Sequence, residues 1–350
     1  MSARAGVQVG SVGLVVRRRA LTALVAVLVI CAGVLIVSLT TGTLDYSLER
    51  VWAALTGNGT RIEELVVVDR RLSRVVSGAL VGFLLGVSGA LTQSVTRNPI
   101  ASPDILGVTA GAGLAAVFVV TRPTEVGALT GEAPGDLLAM AALVGGVLTT
   151  VLILALSWRG GFDGLRLILV GIGVNALALA AISWMLTRSS LDEAAVATRW
   201  LTGSMSGARL DNLPLLVVVA VGCALVCVVL ARDLASLRLG RELSSTLGSP
   251  AGRTEALSLV VAVVAVSAAT SVAGPIGFVA FVAPQAALRL FGTAGPTPLA
   301  GGLTGAAMLV CADLVAQRLP VSLPTGVITA VVGAPVLLAL IVPRIRRSHV

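Results

Sequence analysis

The sequence predicts an all-α, polytopic membrane protein of about ten transmembrane helices, and three observations carry that prediction. Of its 350 residues, 56% are hydrophobic and only 12% charged, against roughly 25% charged in ordinary globular chains. The mean hydropathy is +1.00, as expected of a chain solvated by lipid. The apolar residues also fall into runs near the roughly 20 residues that cross about 30 Å of hydrocarbon. Only short polar breaks separate these runs, so one permease domain over residues 1–350 is expected, with no soluble domain between spans.

The first run, residues 20–40, follows Arg17-Arg18-Arg19. It is longer than the apolar core of a signal peptide, and the SLTTGT that ends it is a poor cleavage site, so it reads as an uncleaved span. Residues 1–19 form an arm before it. The further spans are 72–95, 105–121, 137–158, 165–186, 213–231, 256–273, 276–290, 299–315 and 327–342. The eighth is short and divided from the seventh only by Gly274-Pro275. Excess arginine at the ends of alternate loops orients the chain with its N-terminus inside. Ten spans return the C-terminus inside too, beside Arg344, Arg346 and Arg347.

The net charge of +8 comes from arginine alone, because the chain has no lysine. A Walker A loop needs its lysine to reach nucleotide phosphates, so no ATP site is expected here. The arginines cluster at the ends of apolar runs, which suits lipid headgroups rather than nucleic acid. The four cysteines sit in apolar segments and the single histidine, His349, is next to the C-terminus. A metal site is not expected.

Small residues recur at Gly78, Gly82, Gly86, Gly89 and Ala90 on one face of the second span. Such a face lets helix backbones approach closely, though it could also line a pore. Gly171, Gly173 and Asn175 in the fifth span pose the same choice. A membrane asparagine is costly unless bonded, so Asn175 points to an interhelical hydrogen bond or a substrate contact. A repeat appears at an offset of 185 residues: Gly89, Pro99, Ala101, Ile105 and Gly107 match Gly274, Pro284, Ala286, Leu290 and Gly292. Five spans separate the copies, and an odd number inverts the second, a recurring way to build a transport pathway. Gly86, Gly89, Gln93, Asn98, Pro99, Asn175, Gly274 and Pro275 are therefore candidates for lining that pathway or packing its helices.

Arg71 and Arg74, three apart at the outer end of the second span, point to one face. They either snorkel to headgroups or receive an acidic partner. Asp313 in the ninth span, with Arg318 nearby, is a structural pair or a proton-coupling acid. Between the sixth and seventh spans lies an inner loop, residues 232–255. Within it, residues 240–248 suit a short helix, with Leu239, Leu243 and Leu247 in one apolar stripe among charges. That stripe fits a partner's groove or the membrane surface.

The block RLSR…SGALTQSVTRNPIASPDILGVTAGAG, with GPIGFVAFVAP from Gly274, ADLVAQRL from Ala312 and LPTGVITAVVGAP from Leu323, resembles the FecCD family. These are permease subunits of bacterial iron-siderophore and vitamin B12 ABC importers. GGFDGLRLILVGIGVNAL from Gly160, WLTGSMSG from Trp200 and Gln317 are most similar to the ferric-enterobactin type. The resemblance implies ten spans per subunit, a second permease subunit, two separate ATPase subunits that bind the ATP and Mg, and an extracytoplasmic siderophore-binding protein. It implies docking of that protein on Arg71, Arg74 and Arg318. It also implies ATPase coupling through Gly240, Arg241, Glu242, Leu243, Leu247 and Gly248. Four positions depart from the pattern: Ser73 replaces a proline, Gln285 a histidine, Gln317 an arginine and Ser244 an alanine. The expected function is therefore that of a non-enzymatic, inner-membrane permease that moves ferric siderophore of catecholate type by alternating access, driven by a separate ATPase. Cobalamin or haem cargo, and proton-coupled secondary transport, are the alternatives.

Overall fold

The computed structural model describes residues 5–9, 12–16, 18–42, 44–122, 134–157, 164–320 and 323–347. Arg17, Trp158 and His349 lie outside them. A two-stranded antiparallel hairpin, β1 (Ala5–Val9) and β2 (Val12–Val16), precedes the helical body. Fourteen helices follow among the described residues. They are α1 (Arg18–Thr40), α2 (Leu48–Leu55), α3 (Arg61–Thr96), α4 (Val108–Thr121), α5 (Pro134–Ser157), α6 (Gly164–Arg188) and α7 (Leu191–Leu201), then α8 (Leu213–Val229), α9 (Ala231–Leu237), α10 (Arg241–Thr246), α11 (Ala251–Ala273), α12 (Val279–Phe291), α13 (Pro298–Arg318) and α14 (Thr325–Arg347).

Seven of these are long and apolar enough to cross a membrane, and three shorter apolar helices, Val108–Thr121, Val279–Phe291 and Thr325–Val336, complete the predicted ten. The short ones have a local cause. Before α4 the chain makes a 3-10 turn over Pro103–Leu106, and Gly107 takes φ 67°. Before α12, Gly274 ends α11 at φ 68° and ψ −176°, a conformation open essentially to glycine. Phe278 then holds φ 66° despite its side chain. Irregular backbone of this kind is tolerated at membrane depth only where protein covers it, and Gly274 and Ile276 are buried.

The centre is α3. In its apolar window 78% of residues are buried, against 17% for α1 and 22% each for α5, α6 and α8. Helices α13, α11, α12 and α8 pack around it. Small residues make this possible: a Cβ at Gly82 would overlap the Gly305 carbonyl and one at Gly86 the Gly301 carbonyl. With no net hydrophobic drive between helices in lipid, such close contact carries the association. Hydroxyls inside α3 are satisfied locally, Thr92 donating to Ser88 O (2.9 Å) and Ser94 to Ala90 O (2.7 Å), while Ser88 reaches Ala262 O of α11 (2.8 Å).

The pairs at offset 185 share less local structure than sequence. Gly107 and Gly292 both take positive φ, 67° and 64°. Gly89, however, lies within α3 while Gly274 caps α11, and Pro99 sits in a turn while Pro284 lies inside α12. These pairs play different parts.

Candidate functional site

Two surfaces at opposite ends of α3 hold the candidate residues. At its N-terminal end the helix opens with a π-helical stretch, Leu65–Leu72. Ser73 at the junction donates its backbone N–H to the Val68 carbonyl, the wide closure of a π-turn. Its hydroxyl bonds the Asp69 and Arg70 carbonyls. This stretch forms one wall of a cavity of about 1290 Å³, lined also by Thr41, Asp45, Arg199, Ser206, Gln317 and Arg318. A second cavity of about 510 Å³ shares Leu65, Arg70, Arg74 and Ser206 and adds Asp69 and Arg209.

Arg71 and Arg74 both line the larger cavity but do different work. Arg74 makes a bidentate salt bridge to Asp313, Nε to Oδ2 and Nη2 to Oδ1, both 2.8 Å. Gln317 donates to the same carboxylate at 2.8 Å and Thr325 at 2.7 Å. The Thr325 hydroxyl in turn accepts the Met205 N–H (3.3 Å). Four donors on one buried carboxylate lock α3, α13, α14 and the 205 turn together. Sequence reading placed Arg318 beside Asp313; the actual partner is Arg74, one helix away. Arg318 instead reaches the Thr41 hydroxyl. Arg71 donates to the Leu39 carbonyl (2.7 Å) and the Leu44 carbonyl and lies 5.3 Å from the Tyr46 ring centroid. It therefore ties the α1–α2 connection to α3.

Three motif segments converge just beneath this cavity. Ser204 N–H bonds the Ala273 carbonyl (2.8 Å), and Gly326 N–H bonds the Gly203 carbonyl (3.0 Å). A Cβ at Gly203 would overlap the Pro275 carbonyl, and one at Gly326 the Thr202 carbonyl. The WLTGSMSG, GPIGF and LPTG segments thus meet backbone to backbone, which fixes Gly274 and Pro275 as packing residues here. Gly89 packs too: it faces the Ala280 carbonyl, to which Pro284 has no N–H to give. Gln93 donates to the Phe281 carbonyl (3.0 Å) and accepts from Gln285 (2.7 Å), so the residue that replaces the family histidine closes a buried amide pair.

At the far end of α3, Arg97 takes the left-handed conformation (φ 50°) and ends the helix. The Asn98 side chain accepts the Ile100 N–H (3.0 Å) and its carbonyl the Ala101 N–H (3.1 Å), so Asn98 and Pro99 build a turn. Against it lies the 232–255 loop, Gly240 being close to the Arg97 guanidinium. Helix α10 is bracketed by Gly240 at φ 114° and Gly248 at φ 81°. Arg241 lies 3.8 Å from buried Glu255, while Glu242 is exposed. Ser244, fully buried, meets the Ser236 hydroxyl at 2.9 Å. Leu239, Leu243 and Leu247 are 60%, 57% and 65% exposed, an uncovered stripe. Arg238 is half-buried against Gly295 and donates to the Pro296 carbonyl; desolvation lowers its pKa from the ordinary arginine value.

Sequence reasoning missed Arg19, which donates to the Leu290 (3.3 Å) and Arg289 carbonyls at the C-terminal end of α12. Cationic capping of that helix end is a role its place in an arginine run did not reveal. Asn175 makes no hydrogen bond within the described chain and sits half-buried on α6 between exposed Ile172 and Leu177. Of the two readings of Asn175, an interhelical bond is not made among the described residues.

Among the described residues no cluster of three or more His, Cys, Asp or Glu could hold a metal. Ten apolar helices packed through glycines are the architecture of a polytopic membrane protein. The FecCD transport family model matches residues 13–343, and the chain belongs to that family. It is 37% identical over 341 residues to the ferric enterobactin transport system permease protein of Escherichia coli, covering 95% of this chain and 99% of that one. It is 36% identical to the achromobactin transport system permease of Dickeya dadantii, over 90% and 89% of the two chains. A cobalamin import system permease of Halobacterium salinarum is 37% identical over 79% of this chain and 73% of its own. A solved metal-chelate type ABC transporter in an inward-facing conformation shares the fold, with TM-score 0.79 and 23% identity over 92% of this chain and 99% of that one. The chain is thus a permease subunit of an ABC importer and not an enzyme.

Proposed function

We propose that the chain carries ferric siderophores of catecholate type across the bacterial inner membrane by alternating access. It acts beside a second, unlike FecCD-type permease subunit. Two ATPase subunits bind ATP and Mg, and an extracytoplasmic siderophore-binding protein delivers the cargo. The whole chain serves as one permease domain, with both termini and the 232–255 loop on the cytoplasmic side. The observation that carries this reading is the uncovered stripe of Leu239, Leu243 and Leu247. It lies at the opposite end of α3 from the arginine-lined cavity, and Ser73–Thr96, 24 residues long, spans about 36 Å at 1.5 Å per residue. Leu243 and Leu247 lie between Gly240 and Gly248, with Leu239 just before the first of them, and this apolar stripe gives an ATPase groove something to grip. The two permease states must differ in affinity for the nucleotide-bound ATPase, or no coupling follows.

At the outer end, acidic residues of the binding protein meet the cavity that holds Arg71, Arg74 and Arg318. Gln317 removes one family arginine, and Arg318 supplies a cation to the same cavity. Asn175, without a hydrogen bond among the described residues, faces the second permease subunit or the pathway between the two. The catecholate reading is supported by the identity to a ferric enterobactin permease over nearly the full length of both chains.

The test is reconstitution. Replacing Leu243 and Leu247 with glutamine should abolish ATPase co-purification and ferric-siderophore uptake while leaving the permease folded in detergent. Intact uptake by that variant, with no ATPase bound, would refute the reading. If the ATPase still binds and only membrane association changes, the stripe rests on lipid instead. Uptake of cyanocobalamin in place of ferric catecholate would move the cargo to the cobalamin class.

A further inference from the structure

We propose that Arg70, Arg199 and Arg209 form a receiving site for a polyanionic ferric chelate, distinct from the arginines that dock the binding protein. This rests on the importer reading above and names the residues that would meet its cargo. The three docking arginines all have internal partners: Arg71 the Leu39 and Leu44 carbonyls, Arg74 the Asp313 carboxylate, and Arg318 the Thr41 hydroxyl. Arg70, Arg199 and Arg209 have no side-chain hydrogen bond or ion pair among the described residues, and all three are exposed. They come from three separate elements, the π-stretch of α3, the end of α7 and the turn before α8. Arg70 borders both cavities, Arg199 the larger and Arg209 the smaller.

Their placement runs against the charge of the face they occupy. The described segments at this end carry Asp45, Glu49, Glu63, Glu64, Asp69, Asp192, Glu193 and Asp211, yet of these only Asp45 and Asp69 line the cavities. Cations that no ion pair holds, set around two adjoining cavities, raise the local concentration of anions and speed their capture. A single acidic side chain of a protein is satisfied by one bidentate arginine. Arginines from three elements, bordering two cavities that share Arg70 and Ser206, suit instead a compact ligand with negative charge spread over its surface. A tris-catecholate complex of ferric iron is such a ligand: three dianionic catecholates around one Fe(III) leave a net charge of −3, displayed on the catechol oxygens. Planar guanidinium forks match paired oxygens of this kind better than point-charge ammonium groups. The Ser206 hydroxyl, common to both cavities, offers a further donor.

The experiment uses the complete assembly of permeases and ATPases in nanodiscs, without binding protein. Two radio-iron probes are compared: a trianionic ferric tris-catecholate and a neutral ferric tris-hydroxamate of similar size. The wild-type assembly should retain the anionic probe selectively, and less of it as salt is raised. The triple variant R70Q/R199Q/R209Q should lose about tenfold or more of that affinity, three exposed charge contacts each being worth a few-fold. Retention of the neutral probe should not move. The matching lysine variant, which keeps the charges, should recover part of the loss and so separates charge from misfolding. Equal retention of the two probes by wild type, or unchanged affinity in the glutamine variant, overturns the proposal. So does a glutamine variant that keeps the chelate but no longer binds the binding protein, since the cations then serve the protein partner. If the complete system with binding protein and ATP takes up no ferric chelate at all, it is the importer reading that fails. If uptake proceeds while the probes are not discriminated, only this site fails.

Discussion

Asp313 shows how much one side chain can hold. It accepts hydrogen bonds from Arg74, Gln317 and Thr325, and through Thr325 it reaches the Met205 N–H. Removing one partner of a buried pair costs about 3–5 kcal/mol. Because the Arg74 side chain keeps 23% of its exposure, Asp313→Ala should destabilise the detergent-solubilised protein by about 2–3 kcal/mol in thermal unfolding. Arg74→Ala combined with Asp313→Ala should cost clearly less than the sum of the two single changes. Strict additivity would mean that the pair is not coupled. Gly89 makes a sharper case: its added methyl would overlap the Ala280 carbonyl, a backbone atom that cannot swing aside. Gly89→Ala should cost about 3 kcal/mol or prevent accumulation of the protein in the membrane.

At the scale of elements, the glycine face of α3 is not uniform. Gly86 touches the backbone of α13, whereas a Cβ at Gly78 would make an ordinary 3.7 Å contact with Val310 Cγ1. Gly86→Ala should therefore lower stability by about 1–3 kcal/mol, while Gly78→Ala stays within about 0.5 kcal/mol. A loss at Gly78 as large as that at Gly86, read as unfolding midpoints, would show that backbone contact does not set the cost, since helix propensity by itself favours alanine. The contacts along this face thus differ residue by residue, because a glycine stripe marks close approach but not what approaches. The same applies to α10. Positive φ at Gly240 and Gly248 strains any other residue there, and alanine at either should reduce ATPase coupling while leaving the spans intact, measured as the ratio of transport to ATP hydrolysis.

At the scale of the whole molecule, α1, α5, α6 and α8 remain mostly uncovered, and their exposed side chains must face lipid or another subunit. Asn175 on α6 discriminates between these. A lipid-facing asparagine would be relieved by an apolar residue, so Asn175→Leu should stabilise the permease if that face meets lipid. If it meets the partner subunit or the pathway, the same variant should lower uptake or subunit association without changing the unfolding of the isolated chain. We expect the second outcome, read by co-purification of the two permeases and by uptake.

Ten spans, the missing nucleotide lysine, the leucine stripe and the glycine face were all legible in the sequence. They are local properties: run length, residue identity and periodicity along one helix. The pairing of Arg74 with Asp313, the capping of α12 by Arg19 and the meeting of three motif segments at Gly203, Gly274 and Gly326 were not. These join positions far apart in the chain, and Arg318 looked the natural partner of Asp313 only because it is near in sequence. The sequence determined which segments enter the membrane, since lipid rewards apolar length whatever the neighbours are. Tertiary structure alone decided which arginines are spent inside the protein and which remain free, because a charge is quenched by what lies beside it in space.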